Sequence, residues 1–447
     1  MATTAAVPAA SAVRMVLRTP FYRAAFMSLF ISGVGVSAAG PQLALFFVKE
    51  LGASLSVAGL FYLTNVSAPV VGFFIGRLSD RRSDRLSLFR FCALVGGVGW
   101  IAMAFSTEIW MPFVISLVLL GPAGAAGGLL FAAARDELTR HPSGADNRVV
   151  ATLRMGFSAG WIVGPVIGFW FGSVYGLRAL LLGSAVCALM QIVPLLRTQV
   201  PREVVSAPPI NSPVPRSYRE LLPLFTFVSL CVLAASGDTV KFAYLPLYME
   251  DHLHIPAGLR GAVIAAQPVL ELILIPIFGW AADRLGAPRL MILGSLLGVV
   301  GNLGYVFSTT VVGLFAAQAA MAGLLAAIAG LGVTVAQNLY PQGVGVASTT
   351  FFSAIMFSGA VGGVAASIGV TILGLPGVFL LPAGLCALAA IGLTVQELRR
   401  RRTCSSGLSV RDQVREPVAL QMTRSELQHE AGVALMKVSA VTESRST

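Results

Sequence analysis

Twelve apolar stretches of about twenty residues each, separated by short polar breaks, leave this chain few ways to fold. They lie near 21–47, 56–76, 88–106, 110–134, 150–172, 176–197, 221–249, 258–280, 288–308, 311–338, 347–373 and 376–396. In hydrocarbon every backbone N–H and C=O must be paired within its own element, so each stretch is expected to be a membrane-spanning helix. Mean hydropathy is +0.81 and only 11% of residues are charged, a balance that excludes a water-soluble globule. The expected fold is an all-α membrane protein of twelve transmembrane helices in two six-helix halves. Its parts are a cytoplasmic segment over 1–20, a bundle over 21–197, a cytoplasmic Pro- and Ser-rich linker over 198–220, a second bundle over 221–396 and a disordered cytoplasmic tail over 397–447.

The halves carry a common mark. Gly76-Arg77-Leu78-Ser79-Asp80-Arg81 and Gly279-Trp280-Ala281-Ala282-Asp283-Arg284 lie 203 residues apart, each closing one apolar run before the next begins. A duplicated bundle explains the repeat and provides two bodies able to rock about a midplane site.

Net charge is +11, but the arginines sit at the ends of apolar runs rather than on a nucleic-acid-binding face. They crowd alternate connections, around Arg14, Arg18 and Arg23, Arg77 to Arg90, Arg135 to Arg148, and Arg197 to Arg219, and leave the others nearly bare. The positive-inside rule then puts both termini, the linker and the Asp80 connection in the cytoplasm, in a multi-pass protein of the plasma (inner) membrane. The first 20 residues carry no long apolar core ahead of a cleavage signal, so the first span is expected to serve as its own insertion signal. The arginines at 399–402 suit anionic lipid headgroups.

Five lone cysteines give no disulfide framework, and neither a cofactor nor a metal site is expected, His252 and His254 included. The only lysines are Lys49, Lys241 and Lys437, none followed by Ser or Thr, so a phosphate-cradling GxxxxGK[ST] loop is excluded. Without direct use of ATP, any uphill transport must draw on an ion gradient, and the groups to inspect are ionisable residues inside the apolar runs. These are Arg154, Asp238, Lys241 and Glu271. Glu271, between Leu270 and Leu272 with Pro268 and Pro276 on either side, is the first proton-carrier candidate. A static buried acid bonded to Lys241 is the alternative. Asp238 and Lys241 stand i, i+3 and share a helix face, either as a local ion pair or as part of a cavity wall. Gln42, Asn65, Trp161, Gln267, Asn302, Gln318 and Gln337 are candidate cavity residues, of a kind that a polyhydroxyl solute would use. Gly160, Gly164 and Gly168, with Pro165, place small residues four apart on run five, where helices can approach closely.

The stretch Gly76 to Leu88 resembles the loop 2-3 signature of the major facilitator superfamily, G-x-L-A-D-R-x-G-R-K, with Ser83 for glycine and Asp84 for arginine. Ser79 to Leu88 is similar to the S-D-K-R-G-D-R-K-S-L of bacterial sugar efflux transporters, which Asp84 fits. Leu153-Arg154 with Ser158, Trp161, Val163, Gly164, Pro165 and Gly168 resembles the same group's L-R-A-Q-x-S-L-A-W-V-I-G-P-P-x-G, which overlaps the antiporter motif of exporters with Phe169 in place of its last glycine. Leu270-Glu271 resembles its L-E-I-P stretch, and Gln337 to Pro341 its Q-D-L-M-P, with Asn338 where the acid would be, which argues against a proton role there. The resemblance implies proton-coupled export of sugars or glycosides; a twelve-helix bundle can work alone, so a monomer is expected. It also implies a gating role for Gly76, Asp80, Arg81 and Arg85 and their counterparts Gly279, Asp283 and Arg284. A drug-like substrate is the alternative within transporters, and a non-transporting sensor the alternative outside them. No HExxH or GxSxG motif suggests an enzyme.

Overall fold

A computed structural model describes residues 9–80, 84–140, 146–196, 198 and 218–400. Arg81, the side chain of Asp80, most of the 198–220 segment and the tail beyond Arg400 lie outside the described residues. A leading helix, Ala9–Arg18, precedes twelve spans. These are α1 (Pro20–Lys49), α2 (Leu55–Ser79), α3 (Arg85–Ala104), α4 (Trp110–Arg140), α5 (Arg148–Tyr175) and α6 (Leu177–Leu195) in the first half. The second half has α7 (Glu220–His252), α8 (Ala257–Leu285), α9 (Ala287–Phe307), α10 (Val311–Leu339), α11 (Pro341–Gly377) and α12 (Leu380–Arg400). Each expected apolar run is one of these helices. Residues through Leu393 form one compact unit, and a second begins at Thr394.

Local chemistry sets the helix boundaries. Asp84 caps α3, its carboxylate accepting from the Leu86 and Ser87 amides at 2.9 and 3.2 Å, which gives a structural reason for an acid at that position. The α5–α6 and α8–α9 joints are single glycines, Gly176 and Gly286, at φ of 89° and 87°, a region that side chains disfavour.

Within the first half, α1 and α5 meet backbone to backbone. A Cβ on Gly160 would lie 2.4 Å from the Phe30 carbonyl oxygen, and one on Gly168 2.6 Å from that of Ala38. The Ser37 hydroxyl, beside Gly164, bonds the Gly33 and Gly160 carbonyls at 2.7 and 3.2 Å. The small residues of run five therefore serve the α1–α5 contact.

The two halves touch at one end and part at the other. At the end away from the leading helix, the Tyr244 hydroxyl on α7 lies 2.9 Å from the Leu55 carbonyl and 3.1 Å from that of Ala366. Ser56 and Ser367 bond at 2.7 Å between α2 and α11. Gly363 packs on the Tyr62–Leu63 backbone, and Gly261 on Pro165. Lys49 and Asp251 close the rim at 2.5 Å. Towards the opposite end, a Cβ on Gly72, Gly76, Gly279 or Gly345 would meet nothing within 4 Å, while Phe73, Phe74, Phe352 and Met356 are exposed. Both members of the rim pair are well exposed, with side chains 42% and 38% accessible. Lys49→Ala is therefore expected to lower stability by only about 0 to 1 kcal/mol, which a thermal unfolding series in detergent would read. A larger loss would mean that the rim pair, rather than the packed glycines, holds this end shut.

Candidate functional site

Between the closed end and the parted end lies a cavity of about 410 Å³. Its wall comes from α1 to α6 of the first half and from α7 of the second. Polar groups are scattered over apolar surface. Thr64 and Ser116 share a 2.8 Å bond between α2 and α4, and Gln191 on α6 accepts the Ser28 hydroxyl through its backbone carbonyl at 2.6 Å. Asn65 is exposed on the wall. Trp161 on α5 faces Phe242 on α7 with ring centroids 6.1 Å apart, and its buried indole N–H has no partner among the described residues. A buried donor left unpaired costs free energy, so a ligand acceptor or a water at this point would be stabilised.

Among the described residues, the single acid on the wall is Asp238. Lys241, one turn along α7, is fully buried and donates to Asp238 Oδ1 at 2.5 Å and to Gln267 Oε1 on α8. Gln267 Nε2 in turn donates to Asp238 at 3.3 Å, and the Lys241 ammonium stands 4.1 Å from the centre of the Phe242 ring. Geometry thus joins both sequence readings of this pair: Asp238 is ion-paired and also faces the cavity. One turn beyond Gln267, Glu271 is half-buried, with no ion pair or hydrogen bond among the described residues. The charges of Asp238, Lys241 and Arg154 act on it. The four ionisable candidates, separated in sequence by up to 117 positions, therefore form one electrostatic group.

Of the polar candidates, Asn65 and Trp161 line the cavity and Gln267 stands behind its acid. The structure places the others elsewhere. Gln42 donates to the Ala38 carbonyl of its own helix, and Asn302 to that of Gly298. Gln318 accepts from Tyr305, and Gln337 donates to Ser348. Cavity residues that sequence reasoning passed over include Thr64, Ser116, Ser184 and Gln191. The three small hydroxyls are common in spans and carry no signal of their own, whereas Gln191 is an amide of the same kind as the candidates named from the sequence.

At the helix-end motif, Arg85 donates to Asp136 on α4 at 2.7 Å and to Ser79 at 2.9 Å. In the second half, Arg284, the counterpart of Arg81, has its guanidinium 4.1 Å from the centre of the Trp280 ring, and Asp283 is exposed.

Two six-helix bodies joined at one end and parted at the other, with a cavity walled by the first and by α7 of the second, define a multi-pass membrane transporter rather than an enzyme. The family model of the Major Facilitator Superfamily matches residues 25–237 and 226–434. The chain belongs to this superfamily. It is 29% identical over 349 residues to "Sugar efflux transporter A" of Dickeya chrysanthemi, covering 76% of this chain and 87% of the relative. It is also 26% identical over 279 residues to "Multidrug resistance protein MdtG" of Proteus mirabilis, covering 59% and 67%. The crystal structure of the nucleoside transporter NupG superposes with a TM-score of 0.69 at 13% identity, covering 84% of this chain and 98% of that one, a likeness of fold alone.

Proposed function

We propose that this transporter exports sugars or glycosides across the plasma (inner) membrane in exchange for protons, as a monomer with both termini in the cytoplasm. The bodies over 21–197 and 221–396 rock about the cavity, and the described conformation opens it to the cytoplasm. One observation carries the substrate class: the wall offers hydroxyl, amide and indole groups, while its one acid, Asp238, is already held by Lys241 and Gln267. A polyhydroxyl solute finds partners there, whereas a cation finds no free carboxylate. The sugar efflux relative supports the same reading. Glu271 carries the proton, because it is the acid of the electrostatic cluster that has no fixed partner among the described residues while opposite charges stand near. The Arg85 and Arg284 ends bias the rocking.

A second reading, export of drug-like solutes, has support in the aromatic share of the wall, Phe61, Trp100, Trp161 and Phe242, and in the multidrug relative. Proteoliposomes loaded with labelled lactose and given a pH step distinguish the two. Wild type is expected to move lactose against its gradient, and Glu271→Gln to lose pH-driven net flux while keeping sugar exchange. Movement of a lipophilic cation without lactose would replace the sugar reading with the second one. Full pH coupling in Glu271→Gln would remove that residue from the proton path.

A further inference from the structure

Away from the transport cavity, a groove of about 650 Å³ runs along the first two turns of α1, beneath the leading helix and between the ends of α5 and α6. Val16, Leu17, Phe26 and Met27 make it strongly apolar, and Leu17 and Met27 are 59% and 46% exposed within it. Its far wall is fixed, since Arg90 on α3 donates to the Leu195 and Thr198 carbonyls at 2.7 Å each. The Arg90 Nε beside that wall is buried without a partner among the described residues.

The mouth is basic. Arg23 lines it, and Arg14 and Arg18, one turn apart, are exposed on the leading helix. None of these three guanidinium groups has an ion pair or hydrogen bond among the described residues, and no acid lines the groove. A slot of this kind, level with the start of a membrane span, joins the two features of one ligand class: an acyl chain for the apolar floor and a phosphate for the arginines.

We infer that this groove is a binding site for an anionic phospholipid, with one acyl chain against Val16, Phe26 and Met27 and the headgroup phosphate on Arg14, Arg18 and Arg23. The site is independent of what the central cavity transports. Its occupant would fasten the leading helix to α1 and α5, the close-packed pair of the first half.

The test is native mass spectrometry of the full chain, delipidated in detergent and titrated with phosphatidylglycerol or with phosphatidylcholine of the same acyl chains. Wild type is expected to bind phosphatidylglycerol more tightly. Arg14→Gln/Arg18→Gln/Arg23→Gln should weaken it roughly 100-fold, from the attraction of three arginines near a phosphate, and weaken phosphatidylcholine, whose phosphate is offset by its choline cation, far less. Ala24→Trp, which fills the floor, should weaken both lipids, with Ala24→Leu as the milder filler if the tryptophan variant unfolds. Equal affinity of wild type for both lipids, or an unchanged triple variant, would overturn the assignment. So would undiminished phosphatidylglycerol binding in a folded floor-filling variant, because the charge would then be holding lipid without the groove.

Discussion

Replacing Gly363 with leucine is expected to abolish net transport while leaving a folded twelve-span protein. A Cβ at this position would lie 2.6 Å from the Leu63 nitrogen and 2.8 Å from the Tyr62 carbonyl carbon. Both are backbone atoms, and no rotamer change can remove them. The clash exists only where α2 and α11 touch, so the folded protein can relieve it by parting the halves at this end. Overpacking of this kind costs about 1 to 3 kcal/mol, enough to shift a two-state balance roughly 5- to 150-fold towards conformations open on this side. Two readouts check it: sugar flux in proteoliposomes, and labelling of a cysteine placed at cavity residue Ser32 by an impermeant maleimide applied from the Lys49–Asp251 face. Labelling should rise as flux falls. Flux within about twofold of wild type would mean that the tight glycine contact is not the seal, since the shift set out above is larger than that.

The second large effect concerns charge. Asp238→Asn takes from the fully buried Lys241 ammonium the carboxylate in direct contact with it, leaving neutral amide oxygens at 238 and 267, the Phe242 ring and the more distant charge of Glu271. Removing one member of a buried pair typically costs about 3 to 5 kcal/mol, because the remaining charge has no compensation. Lys241→Met should cost less, since the Asp238 side chain is 25% exposed to the cavity and keeps its bond from Gln267. Combining the two changes should restore most of the lost stability but none of the proton-driven transport. Detergent unfolding midpoints and flux on the four proteins complete the cycle. An Asp238→Asn protein as stable as wild type would show that Lys241 does not need its carboxylate.

These two predictions also show how unevenly the molecule could be read from its chain. The spans were legible because a run of apolar residues long enough to cross hydrocarbon has almost no alternative conformation, and all twelve emerge within a few residues of their expected positions. The facing of polar residues was not legible. A span apolar on every side gives no stripe to show which flank meets a cavity, so Asn65 and Gln42 look alike in sequence. In the structure one lies on the wall and the other bonds within its own helix. The i, i+3 spacing was enough to pair Asp238 with Lys241, but the third member, Gln267, comes from the next helix, and only the crossing of α7 and α8 brings it near. The glycines on run five announced close packing without naming a partner, and that partner is α1.

The duplicated helix ends have a consequence of their own. Although the repeat preserves glycine, aspartate and arginine, the repeated Arg284 rests on the Trp280 ring of its own helix, while the first half adds Arg85, at a position that is Pro288 in the second, and anchors it to Asp136 on α4. Mobile ions act over a Debye length of about 8 Å at physiological ionic strength, so a partly buried pair in contact at 2.7 Å is screened little. The two bodies therefore differ in how their helix ends are wired: in the first, Arg85 ties α3 to α4, whereas in the second the ring contact of Arg284 stays within its own helix.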